Sequence, residues 1–266
     1  MLKGLRSAET AMNIQLNKLN VLANNLANVN TTGFKQVLTE VVERVPDATA
    51  RGAPQGPSPA TPVGGTGAAT PGAGNAASLR DLVLDVRAPV DLTPGPLRTT
   101  GEPTHLALRG DGFFKVQRDG REFYTRNGNF TIDARRRLVT RSGDPVLGTG
   151  GPIELPDGEL RITGDGRVLV DGAQVARLAV VRFDDPGLLR HVGGSLLDKP
   201  AKMPAQPVPG DEVEVLQGML EESNADPVKT MVAMIAAQRA FQLEAKVLQN
   251  ADHVLGKAVN ELSRKA

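Results

Sequence analysis

The sequence predicts an α+β protein: paired N- and C-terminal helices form a coiled-coil stalk, and the residues between them fold into a central antiparallel β-rich domain, an irregular sandwich or barrel. Three observations predict it. Leu5, Met12, Leu19 and Leu26 recur every seven positions near the start of the chain, and Met234, Phe241, Leu248, Leu255 and Leu262 do so at its end. Between them runs a succession of short apolar segments broken by glycine turns. A seven-residue apolar repeat is the seam of a helix that packs on another helix. Many short strands joined by tight turns pair antiparallel.

Residues 1–33 form the N-terminal helix of the stalk. Ala8, Leu22 and Val29 lie three places beyond the seam residues, and Leu16 and Ala23 fill the same face. Asn24, Asn25 and Asn28 stand where the helix runs down, and Gly33 can take the left-handed conformation that closes a helix. These amides either cap the fraying end or, if buried, fix the register between helices of neighbouring subunits.

Residues 34–45 carry Val37, Leu38, Val41, Val42 and Val45, which favour an extended or short helical connecting segment resting on the stalk. The composition then changes. Residues 46–78 are mostly Pro, Gly, Ala and Thr with almost no large apolar side chain. Such a stretch cannot offset the entropy lost on ordering, so it reads as a flexible insertion.

Residues 79–210 make the β-rich outer domain, opening on the alternating run LRDLVLDVRAPV. Strands are expected at 105–108, 113–116, 122–125, 130–133, 138–140, 160–163, 168–170 and 178–183. Turns fall at Asp119-Gly120, Asn127-Gly128, Gly164-Asp165-Gly166 and Asp171-Gly172. Strand and helix never alternate, which excludes a nucleotide-binding α/β fold.

After a proline-rich stretch at 200–209, residues 211–225 return the chain to the stalk through Val213–Leu216, and residues 226–266 form its C-terminal helix. Asp226 reads as the N-cap and Pro227 as the first helical residue, where its missing N–H costs nothing. A helix of about 38 residues from there is roughly 57 Å long. Ala237, Ala251 and Ala258 flank its stripe on one side, and Met231, Ala245 and Val259 on the other.

The composition narrows the function. The chain has 266 residues, 40% of them hydrophobic but only 3% aromatic, a net charge of +1 with interleaved signs, and no cysteine. Base-stacking platforms, a basic nucleic-acid or membrane surface, disulfides and thiol chemistry are thereby excluded. Lys3, Arg6, Glu9 and Asn13 interrupt what would be the apolar core of a cleavable signal peptide.

No catalytic constellation emerges. Gly193-Gly194-Ser195 lacks the frame of a nucleophile elbow. His105, His191 and His253 lack metal-ligand spacing, and Asp184-Asp185-Pro186 reads as a solvated turn. Arg135-Arg136-Arg137 is either a turn or a contact to a neighbour's acidic patch. The expectation is a non-enzyme without cofactor, metal, nucleic-acid or small-molecule partner.

Several stretches are more specific than their physics. NNLANVNTTGFK (24–35) closely resembles the N-terminal signature of the bacterial flagellar axial proteins, the rod, hook and hook-junction family. GMLEESN (218–224) and MIAAQRAF (234–241) resemble that family's C-terminal signature. LALRGDGFFKV (106–116) and YTRNGNF (124–130) resemble the rod-protein motif that begins its β domain. DPVLG (144–148) before GPI (151–153) leans toward the proximal-rod members, with the distal-rod members the alternative. The insertion at 46–78 departs from both.

The resemblance implies a structural subunit of the basal-body rod, self-assembling through its terminal helices into the drive shaft that carries torque from motor to hook. It implies subunit packing through Leu5, Met12, Leu19, Leu26, Asn25, Met234, Phe241, Leu248, Leu255 and Leu262. Its implied partners are further copies, neighbouring rod and hook proteins in a helical assembly, the surrounding basal-body rings, and the flagellar type III export apparatus, which passes the chain uncleaved. Its implied location is the basal body, across the periplasm. The alternative is a soluble dimeric module whose β domain binds a peptide or glycan, and a stable dimer with ordered ends would distinguish it.

Overall fold

The computed structural model describes residues 2–44, 83–87, 89–193, 195–210 and 212–265. Helix α1 spans Leu2–Ala27 and α2 spans Pro227–Lys265. Between them lie β1 (Glu40–Arg44), β2 (Val83–Arg87), β3 (Leu97–Thr99), β4 (Leu106–Arg109), β5 (Phe113–Arg118), β6 (Arg121–Thr125) and β7 (Phe130–Ile132). Next come β8 (Leu138–Thr140), β9 (Leu147–Gly148), β10 (Gly151–Pro152), β11 (Leu160–Ile162), β12 (Arg167–Val170) and β13 (Ala173–Arg177). The series ends with β14 (Val180–Arg182), β15 (Arg190–Gly193), β16 (Leu196–Asp198), β17 (Gln206–Pro207), β18 (Glu214–Gln217) and β19 (Met219–Glu221). The α+β class with a central antiparallel β-rich region is therefore what the chain adopts.

One sheet organises that region. Its six strands run in the order β15-β16-β6-β5-β14-β17, and the β5–β6 hairpin at its centre pairs Phe114 with Thr125 and Arg118 with Arg121. Side chains of a strand alternate between faces, and here both faces are covered. Phe114, Val116, Phe123 and Leu196 enter one apolar cluster, while Phe113, Tyr124 and Leu197 enter a second with Val181, Phe183 and Met203. A three-stranded sheet (β11-β12-β13) and two-stranded ribbons complete the region. Neither cluster contains a residue of α1 or α2.

Three features differ from the expectation. Residues 211–225 are more than a return connector, because β18 pairs with β4 and β19 with β3. The expected strand over 178–183 is interrupted: Leu178 makes an isolated bridge to Gly148 before β14 begins. Strand β13 follows directly on the Asp171-Gly172 turn and pairs along β12 with a bulge that leaves Val175 out of the register. Of the two conformations expected for the connecting segment after α1 the extended one is found, and β1 pairs with β2 from Glu40–Arg87 to Arg44–Val83. The insertion at 46–78 lies outside the described residues.

The helices begin and end where local chemistry dictates. Asp226 Oδ1 accepts the backbone N–H groups of Val228 (2.9 Å) and Lys229 (3.1 Å), so the first turn of α2 is capped. After α1 the Asn28 amide donates to Asn24 O at 2.8 Å, and Gly33 follows at φ +64°. The C-terminal end of α1 and the N-terminal end of α2 are tied together by Gly33 N–H to Glu221 O (2.7 Å) and by Asn224 N–H to Phe34 O. The two helices pack on each other, and with those ends joined they run in opposite directions. No described helix is long and apolar enough to cross a membrane.

Candidate assembly interface

Helix α2 presents two apolar rows on opposite sides. The covered row contains Thr230, Ala233, Met234, Ala237, Ala240, Phe241, Ala245 and Leu248, all buried or half-buried. The other contains Val228, Val232, Ile235, Leu243, Val247 and Val254, with exposures of 64%, 62%, 53%, 67%, 60% and 56%. At about 100° of turn per residue, the second row sits half a turn from the first. Exposed Arg239 and Lys246 share this side, so the row is two apolar groups, 228–235 and 243–254, and grouped exposed apolar residues of this kind mark an interaction surface.

The structure gathers six of the expected seam residues. Met12, Leu19 and Leu26 on α1, and Met234, Phe241 and Leu248 on α2, are all half-buried. The side chains of Leu5, Leu255 and Leu262 lie outside the described residues. The covered face of α1 is rotated relative to the seven-residue seam, toward Ile14, Val21 and Asn25. Strand β2 also lies against α1 and helps account for the rotation. Leu16, 40% exposed, and Ala23 therefore turn outward, and so does Met231 on α2 at 45%. Ile14 and Val21 lie off the repeat, so periodicity alone did not find them.

Beneath the helices is a polar joint to the β region. Asn25, 4% exposed, donates from Nδ2 to Val37 O (2.8 Å) and accepts Val37 N–H at Oδ1 (2.9 Å). Its amide is thus engaged within its own chain. Asn224 links three segments: Oδ1 accepts the Gln36 N–H, and Nδ2 donates to Asp91 O and Thr93 O. Phe34 is buried and stacks on the His191 ring at 5.1 Å, while His191 Nε2 donates to Lys35 O at 2.9 Å. Burial lowers the His191 pKa, and the bond to Lys35 O offsets this only in part.

At the centre of the joint is a buried carboxylate. Glu221 Oε1 accepts from Lys35 Nζ (2.5 Å) and Gly95 N–H (3.0 Å), and Oε2 stands 3.7 Å from Arg126 Nη1. Arg126 also donates to Leu108 O and Gly110 O, and its guanidinium lies 5.4 Å from the centre of the Phe113 ring. Burial lowers the pKa of Lys35 and of Arg126, each held up in part by Glu221. Sequence reasoning missed this cluster because Lys, Arg and Glu are ordinarily solvated.

The remaining candidates resolve into local structure. Arg137 pairs with Asp133 at 2.7 Å and Arg136 donates to Pro156 O at 2.5 Å, so the basic run is the turn between β7 and β8. Asp184 accepts from Gln206, and Asp185 precedes the 3-10 turn Pro186–Leu188. His105 Nδ1 meets Thr100 Oγ1, and His253 is exposed.

Comparison with known proteins accounts for the same segments. Residues 5–35 match the family described as flagella basal body rod protein, and 107–170 match the flagellar hook protein FlgE/F/G D1 domain. Residues 216–261 match the flagellar basal body rod FlgEFG protein C-terminal family. The chain is 35% identical to the flagellar basal-body rod protein FlgF of Caulobacter vibrioides over 250 residues, covering 93% of this chain and 92% of that one. It is also 35% identical to FlgF of Salmonella typhimurium, with 93% of each covered. Identity to the flagellar basal-body rod protein FlgG of Borreliella burgdorferi is 32%, with 98% of each covered. By its two helical ends, the β region between them and this likeness along nearly its whole length, the chain belongs to the FlgF/FlgG family of flagellar basal-body rod proteins.

Proposed function

We propose that this chain is a structural subunit of the flagellar basal-body rod that assembles through its terminal helices, with the β region facing outward. The observation that carries the reading is the uncovered apolar row of α2. One face of the helix is used on α1, and the opposite face offers Val228, Val232, Ile235, Leu243, Val247 and Val254 to water. A self-contained helical pair has no use for that second row. Burying each such side chain against a neighbour is worth about 1.5–3 kcal/mol.

Where the neighbour meets that row with a different surface of its own, the contact is head-to-tail, and repetition of such a contact without closure gives a helical filament. Leu5, Met12, Leu19, Leu26, Met234, Phe241, Leu248, Leu255 and Leu262 would hold the pair together as a coiled-coil stalk. Asn25 acts one step back, by fixing the base of α1. Further copies and other rod and hook proteins are the partners of the uncovered row, and export proceeds through the flagellar type III apparatus without a cleaved signal peptide. The DPVLG stretch at 144–148 leans toward an FlgF-type subunit, with an FlgG-type subunit the alternative, and identities to the two types overlap at 30–35% and 32%.

Electron microscopy of basal bodies from a strain lacking this gene, together with a swimming assay, tests the reading. Absent or truncated rods are expected, and the point where the rod stops locates the subunit. Complete rods and normal swimming would reject an axial role.

A further inference from the structure

The two apolar clusters of the β region exclude both helices, and the joint between the helical pair and that region is rich in hydrogen-bonding and charged groups. Across the joint, Phe34 stacks on His191, and Leu220 and Ala225 are buried where the chain passes from β19 to α2. The rest is hydrogen bonds and charge: Asn25 on Val37, Asn224 on Gln36 and Thr93, and Lys35 and Arg126 converging on Glu221. A joint rich in polar groups between two parts of a chain leaves relative motion as the default.

Among the groups that oppose this motion, Glu221 is the buried charge at the centre. Its carboxylate collects three segments distant in sequence: the tail of α1 through Lys35, the inbound connector through Gly95, and the β6–β7 turn through Arg126. Lys35, Arg126 and Glu221 are 1%, 5% and 2% exposed. We propose that Glu221 is an electrostatic latch: its charge holds the helical pair at one angle to the β region, and removing that charge releases the joint while both bodies stay folded. Without it, Lys35 and Arg126 would be two buried cations left only with carbonyl partners such as Thr93 O and Gly110 O and the more distant Asp91 and Asp111, and water is what would replace the lost charge. Opening the joint is the nearest way to supply it.

The latch reaches past the rod reading. It fixes how the β region stands relative to the helices, whatever covers the outer row of α2, and it is measured on the isolated chain. Hydrogen exchange reads it directly, because Gly33 N–H, Gln36 N–H, Val37 N–H and Gly95 N–H all bond within the joint. In Glu221→Gln these four amides are expected to lose protection by at least about 100-fold, the scale of stranding a buried charge. Amides in the β5–β6 hairpin keep theirs.

The cysteine-free sequence permits a second reading by paired spin labels at Gln242→Cys and Thr131→Cys, both exposed positions. One narrow distance distribution is expected in the parent chain and a broad one with Glu221→Gln. The combined Lys35→Met, Arg126→Met and Glu221→Leu chain, which has no buried charge to strand, is expected to return to a narrow distribution. Unchanged exchange in Glu221→Gln would overturn the proposal, as would loss of protection throughout the β region, which makes Glu221 part of global stability. A broad distribution in the combined chain would also overturn it, by tracing the effect to lost packing.

Discussion

Asn25 and Val37 are bonded to one another as two strand residues would be: the Asn25 amide donates to Val37 O at 2.8 Å and accepts Val37 N–H at 2.9 Å. A side chain near the end of α1 thereby satisfies both backbone groups of a residue twelve positions on, and the chain leaving the helix is held against it. The segment 34–37 then lies where Phe34, Lys35 and Gln36 meet the β region.

Replacing Asn25 with leucine strands a buried donor and a buried acceptor on Val37. The expected cost is about 2 kcal/mol, read as a lower denaturant midpoint with an unchanged slope. Exchange at the Val37 amide should accelerate. Asn25→Asp keeps the acceptor for Val37 N–H but sets a buried carboxylate oxygen against Val37 O, so it should cost at least as much as the leucine.

Gly33 is fixed by both conformation and space. Its φ is +64°, and a Cβ there would lie 2.3 Å from Asn127 N. Gly33→Ala is expected to destabilise the chain by at least about 2 kcal/mol, from left-handed strain together with a backbone clash. Thermal melting checks this, and a change within a few tenths of a kcal/mol would contradict the close approach.

His191 gives the joint a dependence on pH. Its folded pKa lies below the ordinary 6.5 because burial disfavours the imidazolium. The unfolded chain therefore binds the proton more readily, so stability is fully present above about pH 6.5 and declines as the pH falls below it. The denaturation midpoint of the parent chain should drop between pH 7 and 5, and that of His191→Gln should drop less. Asp144 titrates elsewhere: the paired hydrogen bonds from Arg118 hold it below 3.8, so its contribution is lost only in stronger acid.

These residues differ in how far the sequence announced them. The covered row of α2 through Met234, Phe241 and Leu248 follows from periodicity, and the Asp226–Pro227 start follows from capping chemistry. Strands such as β5 and β8 are legible because they alternate or lie between glycine turns. Short strands such as β3, β15 and β16 are not, because two to four residues carry no period and their pairing depends on distant partners such as β6 and β19.

The joint was least legible. Lys35 and Glu221 are 186 positions apart, and no local pattern marks a buried ion pair. Both lie in stretches that resemble the family's terminal signatures, 24–35 and 218–224, and that resemblance locates the segments without revealing that they meet.

On the function proposed above, the uncovered row of α2 is the assembly surface. The most direct test is to supply Val232→Glu with Leu243→Glu to a strain lacking this gene and to image its basal bodies, after confirming that the purified chain melts as the parent does. Both positions are exposed in the isolated chain, so the fold should tolerate the charges, whereas two buried charges at a packed interface would cost several kcal/mol. The account predicts a folded, exported subunit and rods that stop where this subunit is needed. Complete rods and normal swimming from the doubly charged chain would contradict it.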